Sequence, residues 1–405
     1  MAARAVVTGL GVVAPNGLGA ERYLSAILAG ANGIRPINRF DPARYPTRLA
    51  GEVVDFVAEE HLPSRLLPQT DHMTRLALHA ADRAIDDAGI ATASDDGFGV
   101  GVVTASSAGG FEFGQRELQN LWSKGGAYVS AYQSFAWFYA VNTGQISIRH
   151  GLRGPGGALV AEDAGGLEAV AGGRRLVGRG TPVVVCGGVD GIVCPWGWAG
   201  HLTRGQLSDS ADPVRAYLPF DAQASGYVPG EGGAMLVVED AEHAARRGIT
   251  RCYGEIAGYG ATFDPRTEDP CGLRRAIESA LATSDSACSD IDVVFADAAA
   301  TTRLDSAEAR AISAVFGPRA VPVTAPKTLI GRLGAGGAAL DLATALLSLR
   351  DNVIPPTYHV APAADYDIDL VVDAARTGPL NAALILARGH GGINSAMVVR
   401  RPIPR

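Results

Sequence analysis

Cysteine is scarce in this chain, and the five it has, Cys186, Cys194, Cys252, Cys271 and Cys288, are scattered singly. Without paired spacings they form neither a zinc site nor a disulfide framework. The expectation is a reduced, cytoplasmic protein with no metal of its own. Long apolar runs are missing too. None reaches the roughly 20 residues that cross a bilayer, and the first residues do not read as a secretory leader. Aromatic residues make up only 6 %, and the net charge of −7 is modest and spread along the chain. No Lys/Arg cluster interleaved with aromatics offers a surface to nucleic acid. Membrane spanning and nucleic-acid binding are therefore set aside.

What the chain has in quantity is small and aliphatic residues. With 47 % hydrophobic residues and 51 glycines in 405 residues, it can bury a large core with tight turns, and its length allows about two to three domains. Apolar runs at 5–8, 99–104, 182–186 and 234–238 read as buried strands, with helices at 72–88 and 164–178. The order then repeats: strands at 253–257, 292–296, 368–372, 382–387 and 395–399, with helices at 273–281 and 337–350. Alternation of this kind predicts parallel, right-handed βαβ units in sheets covered on both faces. The halves divide at 1–250 and 251–405.

Several features read as structure alone. Gly9-Leu10-Gly11-Val12-Val13-Ala14 fits the loose G-x-G-x-x-A dinucleotide pattern. However, Pro15-Asn16-Gly17 turns the chain where a phosphate-binding helix should start, and no ribose-binding acid follows. His72 and His79 are too few ligands for zinc. The run from Glu239 to Arg247 reads as mixed charge on a solvated helix. Cys186, Cys194 and Cys252 read as small core side chains, none followed by the turn and helix that would make a thiolate.

The chemistry concentrates around Ala161-Glu162-Asp163-Ala164-Gly165-Gly166-Leu167, where an apolar run turns into a small-residue helix. Such a corner suits a nucleophile, since the N–H groups of a helix start stabilise an anion. The residue offered is Asp163, a carboxylate. Taken alone it reads as a helix N-cap or first-turn acid, worth about 0.3 to 1 kcal/mol through the helix dipole.

The surrounding segments resemble the β-ketoacyl synthases from end to end. Val294-Phe295-Ala296-Asp297-Ala298-Ala299 through Asp305 and Glu308 is similar to V-N-A-H-G-T-x-T-x-x-x-D-x-x-E, and Pro326-Lys327-Thr328-Leu329-Ile330-Gly331-Arg332 to S-K-x-x-x-G-H. Pro219-Phe220-Asp221 with Gly226-Tyr227-Val228-Pro229-Gly230-Glu231-Gly232 resembles the central signature, and Gly389-His390-Gly391-Gly392-Ile393-Asn394 the closing G-F-G-G-x-N loop. Asp163 then stands at the position of the nucleophilic cysteine, and Asp297 and Arg332 stand at those of the two catalytic histidines. None of the three can carry an acyl thioester or act as a neutral imidazole. The segments Leu66-Leu67-Pro68-Gln69-Thr70-Asp71 and Trp137-Phe138-Tyr139-Ala140-Val141-Asn142-Thr143-Gly144, with the stretch around Asp163, resemble one branch in particular. That branch is the chain length factor, the ketosynthase β subunit of aromatic type II polyketide synthases. It carries glutamine at position 163, from which Asp163 departs.

The resemblance implies a thiolase-like α/β fold, a duplicated five-layer α/β/α/β/α sandwich in which Asp163 and Asp297 face one cleft. It implies no catalytic residue in this chain and a heterodimer with an active ketosynthase α subunit. Malonyl units would arrive on an acyl carrier protein whose phosphopantetheine belongs to the carrier, so the chain needs no cofactor. Asp297 and Arg332 are expected to leave the cleft without an imidazole. Alternatives are a malonyl-carrier decarboxylase that primes the chain and a lone thiolase-like enzyme with an unusual carboxylate.

Two stretches carry the expected specificity. Tyr128, Tyr132, Phe135, Trp137, Phe138 and Tyr139 cluster either as a core helix or as an interface, where Tyr and Trp are enriched. The resemblance places Tyr132, Phe135, Trp137 and Phe138 against the partner. Phe111, Gly114 and Leu118 share one helical face by their spacing. The resemblance makes that face the wall of an interface tunnel holding the growing polyketide. Gly114, with Leu118 in place of a second aromatic, is expected to leave a longer tunnel, of the decaketide class. The plainer reading is a glycine that loosens or ends the helix.

Overall fold

Ten consecutive buried residues, Ala5–Ala14, make strand β1. A strand covered on both faces has no solvent side, so its sequence is a continuous apolar run with no alternation. In the computed structural model, which describes residues 3–91 and 97–402, β1 lies in one sheet with Val100–Ala105 (β2), Gly156–Leu159 (β3), Val183–Asp190 (β4), Gly232–Asp240 (β5) and Gly254–Phe263 (β6). The sheet continues with Val293–Phe295 (β7), Pro322–Thr324 (β8), Asp369–Leu370 (β9), Ala382–Gly389 (β10) and Ile393–Arg400 (β11).

The spatial order is β9-β8-β7-β10-β11-β6-β1-β5-β4-β2-β3. Cut between β6 and β1, it reads outward the same way on each side for five strands, first strand of the half, then last, then the one before it, then second and third, with β9 added at the outer edge of the second half. The directions repeat as well. In both halves the first and last strands pair antiparallel, the last two pair antiparallel, and the outer ones are parallel. The two first strands join the halves through Val6–Glu255 and Val7–Gly254. The sheets are therefore mixed and not parallel throughout. Only parallel neighbours require a crossover; β11 follows β10 through a hairpin at 390–392.

Helix Gly165–Gly178 (α4) and helix Ala335–Asp351 (α8) pack against each other between the sheets. A helix in that middle layer has no solvent face, and α8 is buried at almost every residue from Ala335 to Leu349. Outside the first sheet lie His72–Ala88 (α1) and Val141–His150 (α3); outside the second lie Cys271–Ser284 (α6) and Thr302–Phe316 (α7). Phe111–Lys124 (α2) and Pro195–Thr203 (α5) stand beside the first half. This is the five-layer thiolase-like sandwich, with one core cluster between the sheets around α4 and α8 and one under the outer helices of each half.

The glycines of the dinucleotide-like pattern serve packing. A Cβ on Gly9 would come within 2.1 Å of the Ala84 carbonyl oxygen, and one on Gly11 within 1.8 Å of that of Ala80. Helix α1 lies directly on β1 at these points. The run from Glu239 to Arg247 is less exposed than its sequence suggests. Glu239 is fully buried, accepting from Thr8, His243 and Arg247, which tie the following helix to the sheet. Cys194 does precede a helix, and its sulfur caps α5 by accepting from Gly197 N–H at 3.4 Å. Burial still pushes its thiol up to about 11, so it is no thiolate.

Candidate functional site

Asp163 is not a helix cap. It lies in a single 3₁₀ turn, Glu162–Ala164, that runs straight into α4; Ala164 is the capping position and no side chain bonds the first N–H groups. Because the backbone is already turning, the carboxylate projects sideways into the cleft. Glu162 before it has φ of 51°, a left-handed conformation that a residue with a Cβ adopts only where its surroundings hold it. The other central helix is capped in the way Asp163 was expected to cap α4. Asp190, at the end of β4 and fully buried, accepts from the N–H of Ala335 at 2.7 Å, from Ser107 N–H at 2.9 Å and from the Ser106 hydroxyl at 2.8 Å.

Asp163, Asp297 and Arg332, the three positions expected to replace the catalytic residues, meet. Arg332 bonds Asp297 through both nitrogens, at 2.9 and 3.2 Å, and reaches Asp163 at 3.3 Å. Asp297 also accepts from the backbone N–H of Arg388 at 3.0 Å, and Lys327 donates to its carbonyl at 3.2 Å. Burial alone would raise the Asp297 carboxyl; Arg332 and then Lys327 outweigh it and hold the group below its ordinary range. Burial likewise opposes the charge on Arg332, but Asp163 and Asp297 overcome it and hold the guanidinium well above its ordinary value. Arg204 stands 4.0 Å from Asp163 and is paired with Glu162. A charge-assisted bidentate pair of this kind is among the stronger side-chain contacts. The cleft is filled by mutually satisfied charges with no free base or nucleophile among them.

A cavity of about 240 Å³ remains beside this group, lined by Asp163, Arg204, Tyr227, Arg332, Arg388 and His390 among others. An imidazole is therefore present, contrary to expectation. His390 takes the place of the phenylalanine of the closing loop and is exposed at the rim. A second, His201, is buried behind Tyr227, 3.1 Å from its hydroxyl, and burial pushes it down to about 4, so it is neutral. Neither bonds Asp163.

The face of α2 carries Phe111, Gly114 and Leu118 as expected, and the helix runs past Gly114 to Lys124 without ending. Gly114 leaves no open void. A Cβ there would meet Trp196 at 3.2 Å and Trp137 at 3.3 Å, so the glycine makes room for these side chains. The Trp196 indole stacks on Phe111 with centroids 4.5 Å apart and planes at 12°, and its backbone N–H donates to Gln115 at 2.6 Å. Sequence reasoning missed Trp196; the only local signal was a second tryptophan, Trp198, beside it after the apolar run of β4.

The aromatic stretch is not a core helix. It forms the short helix Gln133–Ala136 and the start of α3, and it leaves Tyr132, Trp137, Phe138 and Tyr139 about 40 % exposed and Tyr128 63 % exposed, with Phe135 half-buried. Trp122 and Ile148 extend the patch, each nearly four-fifths exposed. A groove of about 660 Å³ runs along it between Leu66, Phe135, Phe138, Val141 and Ile148. The same side carries β3, the edge strand of the first half. Among the described residues no three His, Cys, Asp or Glu side chains gather as metal ligands, and no helix is long and apolar enough to cross a membrane. His72 reaches Glu231 and Arg39, while His79 lies buried beside His61 and Phe56.

Comparison with known proteins agrees with this geometry. The β-ketoacyl synthase N-terminal domain model matches residues 2–244 and the C-terminal domain model residues 253–361. The tetracenomycin polyketide synthase ketoacyl synthase β subunit of Streptomyces glaucescens is 58 % identical over 400 residues, covering 98 % of each chain. The actinorhodin polyketide β-ketoacyl synthase 2 of Streptomyces coelicolor is 56 % identical over 402 residues, 98 % of this chain and 99 % of the other. Among solved structures, the ishigamide ketosynthase/chain length factor superposes with a TM-score of 0.92 at 26 % identity over the whole of both chains. A type II polyketide synthase ketosynthase, bound to a hexaketide and in complex with its acyl carrier protein, gives 0.89 at 25 % identity over 99 % of this chain and all of the other. The chain belongs to the β-ketoacyl synthase family, in its polyketide ketosynthase β-subunit, or chain length factor, branch.

Proposed function

We propose that this chain is the non-nucleophilic subunit of a minimal type II polyketide synthase, in which it pairs with an active ketosynthase α subunit and sets the length of the polyketide. The reading rests on one observation above all: Arg332 is locked between Asp297 and Asp163 where a condensing enzyme keeps a free cysteine and two histidines. A site whose charges satisfy one another has no group left to take an acyl chain or to polarise a thioester. The partner supplies the cysteine and both histidines. Malonyl units arrive on an acyl carrier protein that brings its own phosphopantetheine, and the work takes place in the reduced cytoplasm.

The exposed aromatic patch is the partner's seat. Monomers rarely leave apolar patches of this extent uncovered, and Tyr132, Phe135, Trp137 and Phe138 combine large apolar area with polar tips. The unpaired edge of β3 beside them is a ready template for a second chain. Phe111, Gly114 and Leu118 then line the tunnel at the junction. Gly114 lengthens it by letting the Trp196 indole lie back against the helix, and the product falls in the longer, decaketide-like class.

Co-expression with a ketosynthase α subunit and mass measurement in solution test the pairing. The expected result is a one-to-one heterodimer, with the isolated chain aggregating or self-pairing, since obligate interfaces bury more than about 2,000 Å². A soluble monomer indifferent to the partner contradicts it. Carbon dioxide release from malonyl-carrier by the chain alone would favour the decarboxylase reading instead.

A further inference from the structure

The segment Leu66-Leu67-Pro68-Gln69-Thr70-Asp71 ends in a residue that touches the tunnel helix. Asp71 is fully buried. One carboxylate oxygen accepts from Met73 N–H at 2.8 Å, capping α1; the other accepts from Phe113 N–H at 2.7 Å, in the first turn of α2. A single side chain therefore holds the starts of two helices together. The next tie is Glu112, whose carboxylate accepts from Arg39 at 3.2 Å. Arg39 in turn bonds Glu231 at 2.5 Å and His72 at 2.9 Å, and Glu231, fully buried, also accepts from Val53 N–H at 2.9 Å. The third tie is backbone: Gly110 N–H donates to the Trp137 carbonyl at 3.1 Å, and a Cβ on Gly110 would lie 2.2 Å from the Ala136 carbonyl oxygen.

These ties act at one end of a lever. Phe111 is at the clamped end, whereas Leu118 lies about 10 Å further along the helix axis at 1.5 Å per residue. Further along, Gln115 accepts from Trp196 N–H at 2.6 Å and the buried Glu117 accepts from Ser130 N–H at 2.7 Å, so a shift released at Glu112 or Phe113 turns the start of α2 about these contacts and moves Phe111 and Gly114 against Trp196. A Cβ at Gly114 would lie only 3.2 Å from Trp196 and 3.3 Å from Trp137, so that seat has little slack. We infer that Asp71 and Arg39 are positioning residues for chain-length control: they fix the pitch of α2, and with it the depth of the tunnel, without touching the polyketide. The inference rests on the tunnel reading proposed above.

The test uses the whole heterodimer reconstituted with carrier protein and malonyl donor, reading the ratio of off-length to main-length products together with heterodimer yield. Asp71→Asn leaves one of the two N–H groups facing an amide N–H, and Arg39→Gln cuts the tie to Glu112. Each is expected to raise the off-length fraction several-fold while the heterodimer still assembles. Glu112→Gln, at a half-exposed site where folding is not at stake, is expected to shift the ratio in the same direction. Combined with Arg39→Gln it should add little to the ratio, because Arg39→Gln has already removed the contact to Glu112. Arg39→Lys should recover part of the native ratio. A merely structural role would lower total output and leave the ratio unchanged. Unchanged ratios in Arg39→Gln and Glu112→Gln, with Gly114→Thr altering the product, would overturn the positioning role and leave the tunnel reading intact. If Gly114→Thr changes nothing either, both fall.

Discussion

The cleft at Asp163 and the aromatic face around Phe138 stand at opposite extremes of satisfaction. In the cleft every charge has a partner: Arg332 spans Asp297 and Asp163, Arg204 holds Glu162, and Lys327 pairs with Asp341 at 2.5 Å. On the aromatic face Trp122, Tyr128, Trp137, Phe138 and Ile148 lie open. A region whose groups satisfy one another is finished within the chain, and a region that leaves apolar area in water is completed by something else. On the proposed reading the open face carries the function, and the charge-filled cleft has a structural job.

The largest expected effect follows from breaking the filled region. Arg332→Ala would leave Asp297 buried without its main counter-charge, and removal of one partner from a buried pair costs about 3 to 5 kcal/mol. Denaturant unfolding of the heterodimer checks it; a loss within the scatter of surface substitutions would mean the cleft charges are not held by this arginine. Next comes the open face. Phe138→Ala should weaken association by about 2 kcal/mol, as anchor residues do, while leaving the stability of the isolated chain nearly unchanged. A titration of the two subunits against unfolding of each alone separates the two effects, and equal losses in both would place Phe138 in the core.

A smaller effect distinguishes the two helix starts. Burial pushes the Asp190 carboxyl up to about 6, against the lowering action of Ser106, Ser107 and Ala335. A carboxyl whose folded value lies above its unfolded one binds more protons when folded, so stability falls as pH rises from about 4 to about 6 and levels off above. The stability difference between the native chain and Asp190→Asn should therefore shrink across that window, measured by unfolding at matched ionic strength; a constant difference would mean Asp190 does not titrate there. Asp163→Asn should be the mildest change, about 1 kcal/mol or less, since its pairing with Arg332 is shared with Asp297 and it caps nothing.

Much of this was legible in the sequence, and the gaps have physical reasons. The long strands β1, β4, β5, β10 and β11 and the helices α1, α4, α6 and α8 follow from the length and spacing of apolar runs. The short strands β3 and β8, of four and three residues, carry too few residues for a period to register. Antiparallel neighbours were missed because alternation of strand and helix says nothing of direction at β5 and β11. Motif strings located Asp163, Asp297 and Arg332, but not that one guanidinium grips both acids, since that contact joins three segments far apart in the chain. The same holds for Trp196, whose importance arises only where it lies on Gly114. Asp163 looked like a cap because acids favour helix starts. The 3₁₀ turn that denies it the role is set by how the chain enters α4, and a residue pattern does not record that.

The most direct test of the account is the carbon count of the polyketide made by the reconstituted heterodimer. Gly114→Thr with Leu118→Phe would push the Trp196 indole off its seat and add a ring to a packed wall that cannot absorb it. The native complex should make a decaketide-length chain, and the double variant, folded and paired, a shorter one. The same carbon count from both complexes would contradict the claim that this face of the chain measures the product.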